Sequence, residues 1–341
     1  MTTLKLEHNE VKDLVSVVIP TYSGERFIAE SLDVVSRQSY PNWEILVVED
    51  GSRDTTQEIV ESFARRNPSR RVQYLRCERN RGPSHARNMA FAKVRGEFVA
   101  LLDVDDRWLP DHLAVSLESL RTTGSDVAYS TVVMFEDKSE MLLGVWGPDW
   151  NDLCDFPYGL FRRNFITPSA TVMRRQVLAD IGIWDTRLRY CEDLDFWLRC
   201  LAAGKKFQHV SGCHTLYRRN HKEAATSKTC AVLEAFAQTI ERYMVFPGLR
   251  ERRCRKFVYN AYLQAAAFHA QMDPQHDPSA DPARIGPLML HAWRLRPKHV
   301  ECLLKGGMHS LRHWIKGRKG VRLAPILSAA PEATQAQSAA A

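Results

Sequence analysis

Over the first hundred residues, four short β-branched or apolar runs alternate with helical patterns. The runs lie at 15–19, 44–48, 72–76 and 97–102, and the helical patterns at 25–38, 55–66 and 84–93. Phe27, Ile28, Leu32 and Val35 fit one helical face. Asp54 with Gln57 predicts a capping box at the start of the second helix. Pro20 predicts the end of the first strand. Strands that alternate with helices argue for an α/β, doubly wound sheet that binds ligands at its strand C-termini.

The rhythm then changes. A helix is expected at 110–121 and strands at 127–133 and 141–146. The Trp-, Phe-, Tyr- and Pro-rich stretch 146–170 reads as irregular. A helix at 193–203 and two strands at 207–210 and 213–217 follow. Helical patterns run from 229 to about 272, a proline-rich loop from 272 to 287, and a further helical run from 288 to 314, broken near Pro297. The expected organisation is an N-terminal extension (1–14), a catalytic domain (15–228), a basic helical C-terminal region (229–322) and a disordered tail (323–341).

Composition excludes several classes. At 341 residues, with 45% hydrophobic and 26% charged, the chain reads as globular, not collagenous, wholly disordered or disulfide-built. No apolar run approaches the roughly 18 residues of a membrane span. The N-terminus has no apolar signal core, so the eight cysteines read as reduced thiols of a cytoplasmic protein. No C-x-x-C or other short ligand pair marks a zinc site. The net charge of +7 is concentrated in residues 250–322, with 15 Lys and Arg against 5 Asp and Glu. Basic residues 305–319 with Leu311, Trp314 and Ile315 could lie on a membrane face or be the solvated side of a packed helix. No nucleic-acid-binding motif accompanies them.

Five segments carry chemistry. Asp103-Val104-Asp105-Asp106 follows an apolar strand, and hard divalent cations relieve such crowded carboxylates. An acidic turn before the next helix is the plainer reading. Glu49-Asp50-Gly51-Ser52 ends another strand, where a carboxylate can hold a base or ribose, or merely make a βα turn. In the segment 79–88, Gly82 allows a tight loop, and Arg87 is a phosphate ligand or a surface cation. Trp184-Asp185 and Glu192-Asp193-Leu194-Asp195 place acids among large apolar residues, as a general base or as helix caps. Tyr217-Arg218 could clamp a diphosphate or form a solvated turn.

Taken in order, these segments resemble the family-2 glycosyltransferases of the GT-A fold. The resemblance covers about residues 15–228 and rests on Val17-Val18-Ile19-Pro20-Thr21-Tyr22, Glu49-Asp50-Gly51-Ser52, Asn80-x-Gly82 with Ala86-Arg87-Asn88, Asp103-x-Asp105, Gly182-x-Trp184-Asp185 with Glu192-Asp193-x-Asp195-x-Trp197-x-Arg199, and Tyr217-Arg218. It implies a Rossmann-like mixed sheet flanked by helices. It also implies inverting transfer of a sugar from a nucleoside diphosphate sugar, with UDP-sugar the expected donor, using Mn²⁺ or Mg²⁺. The acceptor would be a hydroxyl of a glycan or lipid-linked glycan, in cell-surface polysaccharide or glycolipid synthesis.

By likeness, Pro20, Thr21 and Tyr22 line the nucleotide pocket, Asp50 holds the base beside Glu49, and Arg87 lies near the phosphates. Asp103 lies by the ribose or sugar and shares the metal with Asp105, and Arg218 clamps the diphosphate. Asp193 is the expected base with Glu192 its competitor, and Trp184, Asp185 and Asp195 face the acceptor. Glu49 stands where the family often has Asp, and His221 lies one residue later than in many relatives. The competing readings are a catalytically silent nucleotide-sugar or glycan-binding module, and a nucleotidyltransferase, whose opening Gly-rich loop is absent.

Overall fold

The first strand, β1 (Val11–Thr21), is buried from Leu14 to Thr21, and the sheet is laid down on both sides of it. The computed structural model describes residues 6, 9–219, 228–297 and 299. After β1 the chain forms α1 (Ile28–Ser36), β2 (Trp43–Glu49), α2 (Thr56–Arg66), β3 (Val72–Arg76), α3 (Pro83–Lys93) and β4 (Gly96–Leu101). β1 pairs in parallel with β2 on one edge and with β4 on the other, and β3 extends the sheet beyond β2.

The second half adds β5 (Arg107–Trp108), α4 (His112–Thr123), β6 (Val127–Glu136), β7 (Leu142–Trp146), α5 (Trp150–Cys154), β8 (Thr171–Arg174), α6 (Gln176–Ile181), α7 (Glu192–Ala202) and β9 (Phe207–Arg219). The sheet order is β3-β2-β1-β4-β8-β6-β9-β5, with β7 paired to β6. β8 is antiparallel to both β4 and β6, so the sheet is mixed. Helices α8 (Thr229–Arg242), α9 (Glu251–Gln271) and α10 (Ile285–Leu295) follow.

Side chains alternate across a strand, and both faces are covered. Val15, Val17, Ile19, Ile45, Val47 and Phe98 pack toward α1, α2 and α4. Val18, Leu46, Val48, Val99 and Leu101 belong to a second core with α3, α6 and α7. That second core continues into the C-terminal helices through Phe236, Ile240, Val258, Tyr262, Leu288 and Leu295. Part of the basic block at 250–256 serves this packing, since Arg253 pairs with Asp155 and lies 4.1 Å over the Tyr158 ring. Among the described residues no helix is long and apolar enough to cross a membrane. The second basic block at 305–319, the tail at 323–341 and His221 lie outside the described residues.

Several local expectations are corrected. β1 runs through Pro20 instead of stopping there. Pro20 falls past the last β1–β4 pair, Val18 with Leu101, so its missing N–H coincides with the end of that ladder. The capping box at α2 does not form. Asp54 accepts from the backbone N–H groups of Thr56 and Glu25, while Gln57 donates to Glu61. The two strands expected at 207–217 are one, β9, with a register shift opposite residues 130–132 where Gly212 has φ +95°. The proline-rich loop is shorter than expected, because Pro287 sits in the first turn of α10, where its missing N–H costs nothing.

Asn88 ties α3 to the segment that leads into α7. Its amide donates to the Trp184 carbonyl (2.8 Å) and accepts from the Trp184 N–H (2.9 Å). Asn88→Ala leaves both backbone groups unpaired and should cost about 2 kcal/mol in urea unfolding. A loss below about 0.5 kcal/mol would show that the two segments are held by packing alone.

Candidate active site

The connections from β1 diverge, first to β2 and β3 and then back across to β4. In open α/β sheets such a switch point opens a crevice at the strand C-termini. Here it is a cleft of about 320 Å³. Pro20, Thr21, Tyr22, Asp50, Arg87 and Asp103 line it, as the sequence led us to expect, together with Asp105, Glu192, Tyr217 and Arg218. Glu49 lies behind the lining, fully buried, with Oε1 accepting from the Ser52 N–H. Burial raises its pKa. Tyr22 is half exposed, and the buried Thr21 hydroxyl has no protein partner.

Asp50 shapes one side of the cleft. Its carboxylate accepts from the N–H groups of Arg81 (3.0 Å) and Gly82 (2.6 Å), which folds loop 79–82 over the end of β2. The approach is close: a Cβ on Gly51, which has φ +88°, would lie 2.3 Å from the Arg79 carbonyl carbon. A carboxylate has about four acceptor sites, so Asp50 keeps capacity for a ligand.

The opposite wall is a cluster of carboxylates around one buried cation. Arg87, from α3, pairs with Asp103 at the end of β4. Its Nη1 lies 3.6 Å from Glu192, and its guanidinium sits 4.6 Å over the Trp184 ring. Glu192 and Asp193 open α7, where the helix dipole favours acids. Burial and the adjacent Asp193 push the Glu192 carboxyl up to about 7. Burial also raises Asp193, although the Asn164 side chain and the Leu194 N–H each donate to it at 2.8 Å. Asp103 is raised by burial, which the Arg87 charge opposes and Asp105 reinforces. Asp106, well above its usual range through burial, accepts from Ser169 (2.5 Å) and from the Arg218 N–H (2.9 Å). Ser169 in turn accepts from the Asp103 N–H. Asp103 and Asp105 both line the cleft, and their oxygens suit a hard divalent cation.

Two expected site residues do other work, and a third is braced by protein groups. Trp184 is fully buried against Phe91, Phe196 and Trp197, so it is the floor beneath Arg87 and not an acceptor contact. Asp195 is buried and accepts from Arg199 (3.0 Å) and the Tyr243 hydroxyl (2.9 Å), which removes it from the acceptor side. Arg218 lines the cleft and also binds protein groups: Glu30 at 2.7 Å, Asp137 at 3.1 Å and the Asp105 carbonyl at 2.7 Å, with Phe27 and Phe135 beside it. Asp185 remains near the surface, lowered to about 2 by Arg187. Sequence reasoning missed Asn164 and Ser169. Both lie outside the carboxylate-rich motifs, and an isolated polar residue in an aromatic stretch gives no signal.

Comparison with known proteins places this geometry. The family model "Glycosyl transferase family 2" matches residues 16–182. TuaG of Bacillus subtilis (strain 168), a glycosyltransferase named for teichuronic acid biosynthesis, is 30% identical over 219 residues, covering 64% of this chain and 83% of TuaG. The structure of S. aureus TarS 1-349 in complex with UDP-GlcNAc superposes with TM-score 0.59 at 20% identity, covering 89% of this chain and 92% of that one. The mannosyltransferase PcManGT of Pyrobaculum calidifontis, in complex with GDP-Man and Mn²⁺, gives TM-score 0.53 at 17% identity, covering 89% and 88%. A mixed sheet with an acidic cleft at its switch point defines a GT-A-type α/β transferase fold. The chain belongs to glycosyltransferase family 2.

Two predictions follow from the charges. The Glu192 carboxyl, with its pKa raised from 4.5 to about 7, stabilises the fold below about pH 4.5, and this contribution is lost as pH rises through about 7. Glu192→Gln should therefore raise the melting temperature more at pH 8 than at pH 4; an equal shift at both would place no strain on this carboxyl. Arg218→Ala breaks a buried ion pair and should cost about 3 kcal/mol in urea unfolding. Lost turnover with unchanged stability would instead return Arg218 to the diphosphate.

Proposed function

We propose that this chain is an inverting, metal-dependent transferase that moves a sugar from a UDP-sugar to a hydroxyl of a glycan or lipid-linked glycan. The observation that carries the reading is the placement, across one cleft, of a nucleotide-side carboxylate, Asp50, opposite the raised carboxyl of Glu192, with Asp193 beside it at the start of α7. A base with a pKa near neutrality is suited to take a hydroxyl proton. The nucleotide complexes of TarS and PcManGT, which share the fold, support a nucleoside diphosphate donor. The naming of TuaG for teichuronic acid biosynthesis supports the acceptor class.

In this reading Thr21, Tyr22 and loop 79–82 hold the nucleoside, and Asp50 accepts from the base. Asp103 and Asp105 would hold Mn²⁺ or Mg²⁺, which would supply positive charge against the leaving diphosphate. Arg87 keeps Asp103 and Glu192 together and sets the position of the α7 N-terminus. Asp193, oriented by Asn164, takes the acceptor proton as the acceptor oxygen bonds to the anomeric carbon and the bond to the diphosphate breaks. One in-line displacement from the face opposite the leaving group inverts the centre. Glu192 is the second reading for the base, because it lines the cleft directly. A silent binding module would have no use for two acids held at raised pKa. The basic, partly apolar sequence at 305–319 supports peripheral contact with a cytoplasmic membrane face.

Thermal unfolding with UDP, GDP or dTDP, with Mn²⁺ and then with chelator, tests the donor. At about 100 times its dissociation constant UDP should add about 2.7 kcal/mol, and only with the metal. No shift with any nucleotide would reject the reading. Asp193→Asn should keep UDP binding and abolish transfer, whereas full transfer in that variant, with loss in Glu192→Gln, would move the base to Glu192. If Glu192 is the base, transfer rises with pH through about 7 as its carboxyl ionises.

A further inference from the structure

We propose that the chain carries a soft-metal site, suited to Zn²⁺, built by Asp50, Cys77 and His85 behind the nucleotide side of the cleft. The three come from the ends of β2 and β3 and from the first turn of α3, and the parallel pairing of β2 with β3 brings them together. One ligand atom from each lies within 4.8 Å of the others. Cys77 Sγ and His85 Nδ1 are 3.5 Å apart. With zinc bonds of roughly 2.0–2.3 Å, the edges of a tetrahedral site are about 3.3–3.8 Å, so that pair already has the required spacing. The Met89 thioether lies 3.1 Å from Cys77 Sγ and makes this side of the pocket richer in soft donors. A fourth position is left for water.

The ligand chemistry differs from that of the Asp103–Asp105 pair. A thiol, an imidazole and one carboxylate select a borderline-soft ion, where an all-oxygen set selects Mg²⁺ or Mn²⁺. Burial and Arg81 lower the His85 pKa, which favours the uncharged imidazole. Burial, with Asp50 beside it, pushes the Cys77 thiol up to about 11. Binding therefore displaces the thiol proton to solvent, with no redox change. The amides of Arg81 and Gly82 that bond Asp50 would orient it as a ligand. His85 is only half-buried, which leaves an approach from solvent.

The site has a consequence for the cleft. Asp50 is shared: its carboxylate lines the cleft and belongs to the cluster. An ion held there takes acceptor capacity from Asp50, so zinc and nucleotide oppose each other. This coupling rests on the proposed role of Asp50 at the base; the ion site itself does not.

Co²⁺ titration of the full chain, freed of metal by chelator, tests the site. The expected result is a thiolate-to-cobalt charge-transfer absorption that Zn²⁺ abolishes. It should persist in Cys154→Ser, vanish in Cys77→Ser, and need more than tenfold higher Co²⁺ in His85→Ala, with circular dichroism confirming that each variant is folded. Absence of the band, or its persistence in Cys77→Ser, would overturn the site. UDP binding is then measured in Mg²⁺, which does not compete for the thiolate. Zn²⁺ should weaken it at least tenfold in the unmodified chain and not in Cys77→Ser; equal weakening in both would overturn the coupling. If UDP does not bind in Mg²⁺ at all, the donor reading and the coupling fail, while the cobalt band still decides the site.

Discussion

One buried guanidinium makes the acidic wall of the cleft possible. Arg87 reaches Asp103 from below and Glu192 from the side, and lies on the indole of Trp184. Unit charges 4 Å apart near a protein surface repel by about 4 kcal/mol. Asp103, Glu192 and Asp193 could not be gathered without a cation among them. The stack on Trp184 fixes that cation, and Asn88, one residue along α3, fixes the backbone of Trp184. Burial raises the proton affinity of all three carboxyls, while Arg87 keeps them from dispersing.

The same constraint explains which parts of the site were legible in the sequence. Motifs at strand ends were readable because topology alone delivers them: Asp50 follows β2 and Asp103 follows β4, and both arrive at the switch point whatever the intervening helices do. Strand and helix order in the first hundred residues was equally legible, since β-branched runs and amphipathic helices have distinct periods. The ends of elements were not. Pro20 stays in β1 because of where the neighbouring ladder stops, and Asp54 fails to form its expected box because Glu25 competes for it. Both are tertiary facts.

Residue type misled where one motif mixes two roles. Asp193 and Asp195 sit two positions apart in α7, yet Asn164 holds the first in the acidic wall while the second is locked under Tyr243 and Arg199. Nothing in the letters separates them; the angle of 100° per residue does, once the apolar face is known. Arg218 is a similar case. It lines the cleft, and Glu30 and Asp137, from distant segments, brace it as well. Cys77 and His85 carried no signal, because their proximity depends on β3 lying beside β2.

The hydrogen bond from Tyr243 to Asp195 has an implication for how such enzymes diversify. Tyr243 closes α8, and Phe246 just beyond it meets Phe161 edge-on inside the core that Trp197 also joins. The C-terminal helices are therefore not an interchangeable cassette bolted to a finished transferase. A lineage that replaced them would expose the apolar flank of α7 and free the carboxylate that braces it. Change in these helices should accumulate by substitution, with wholesale exchange of the segment selected against.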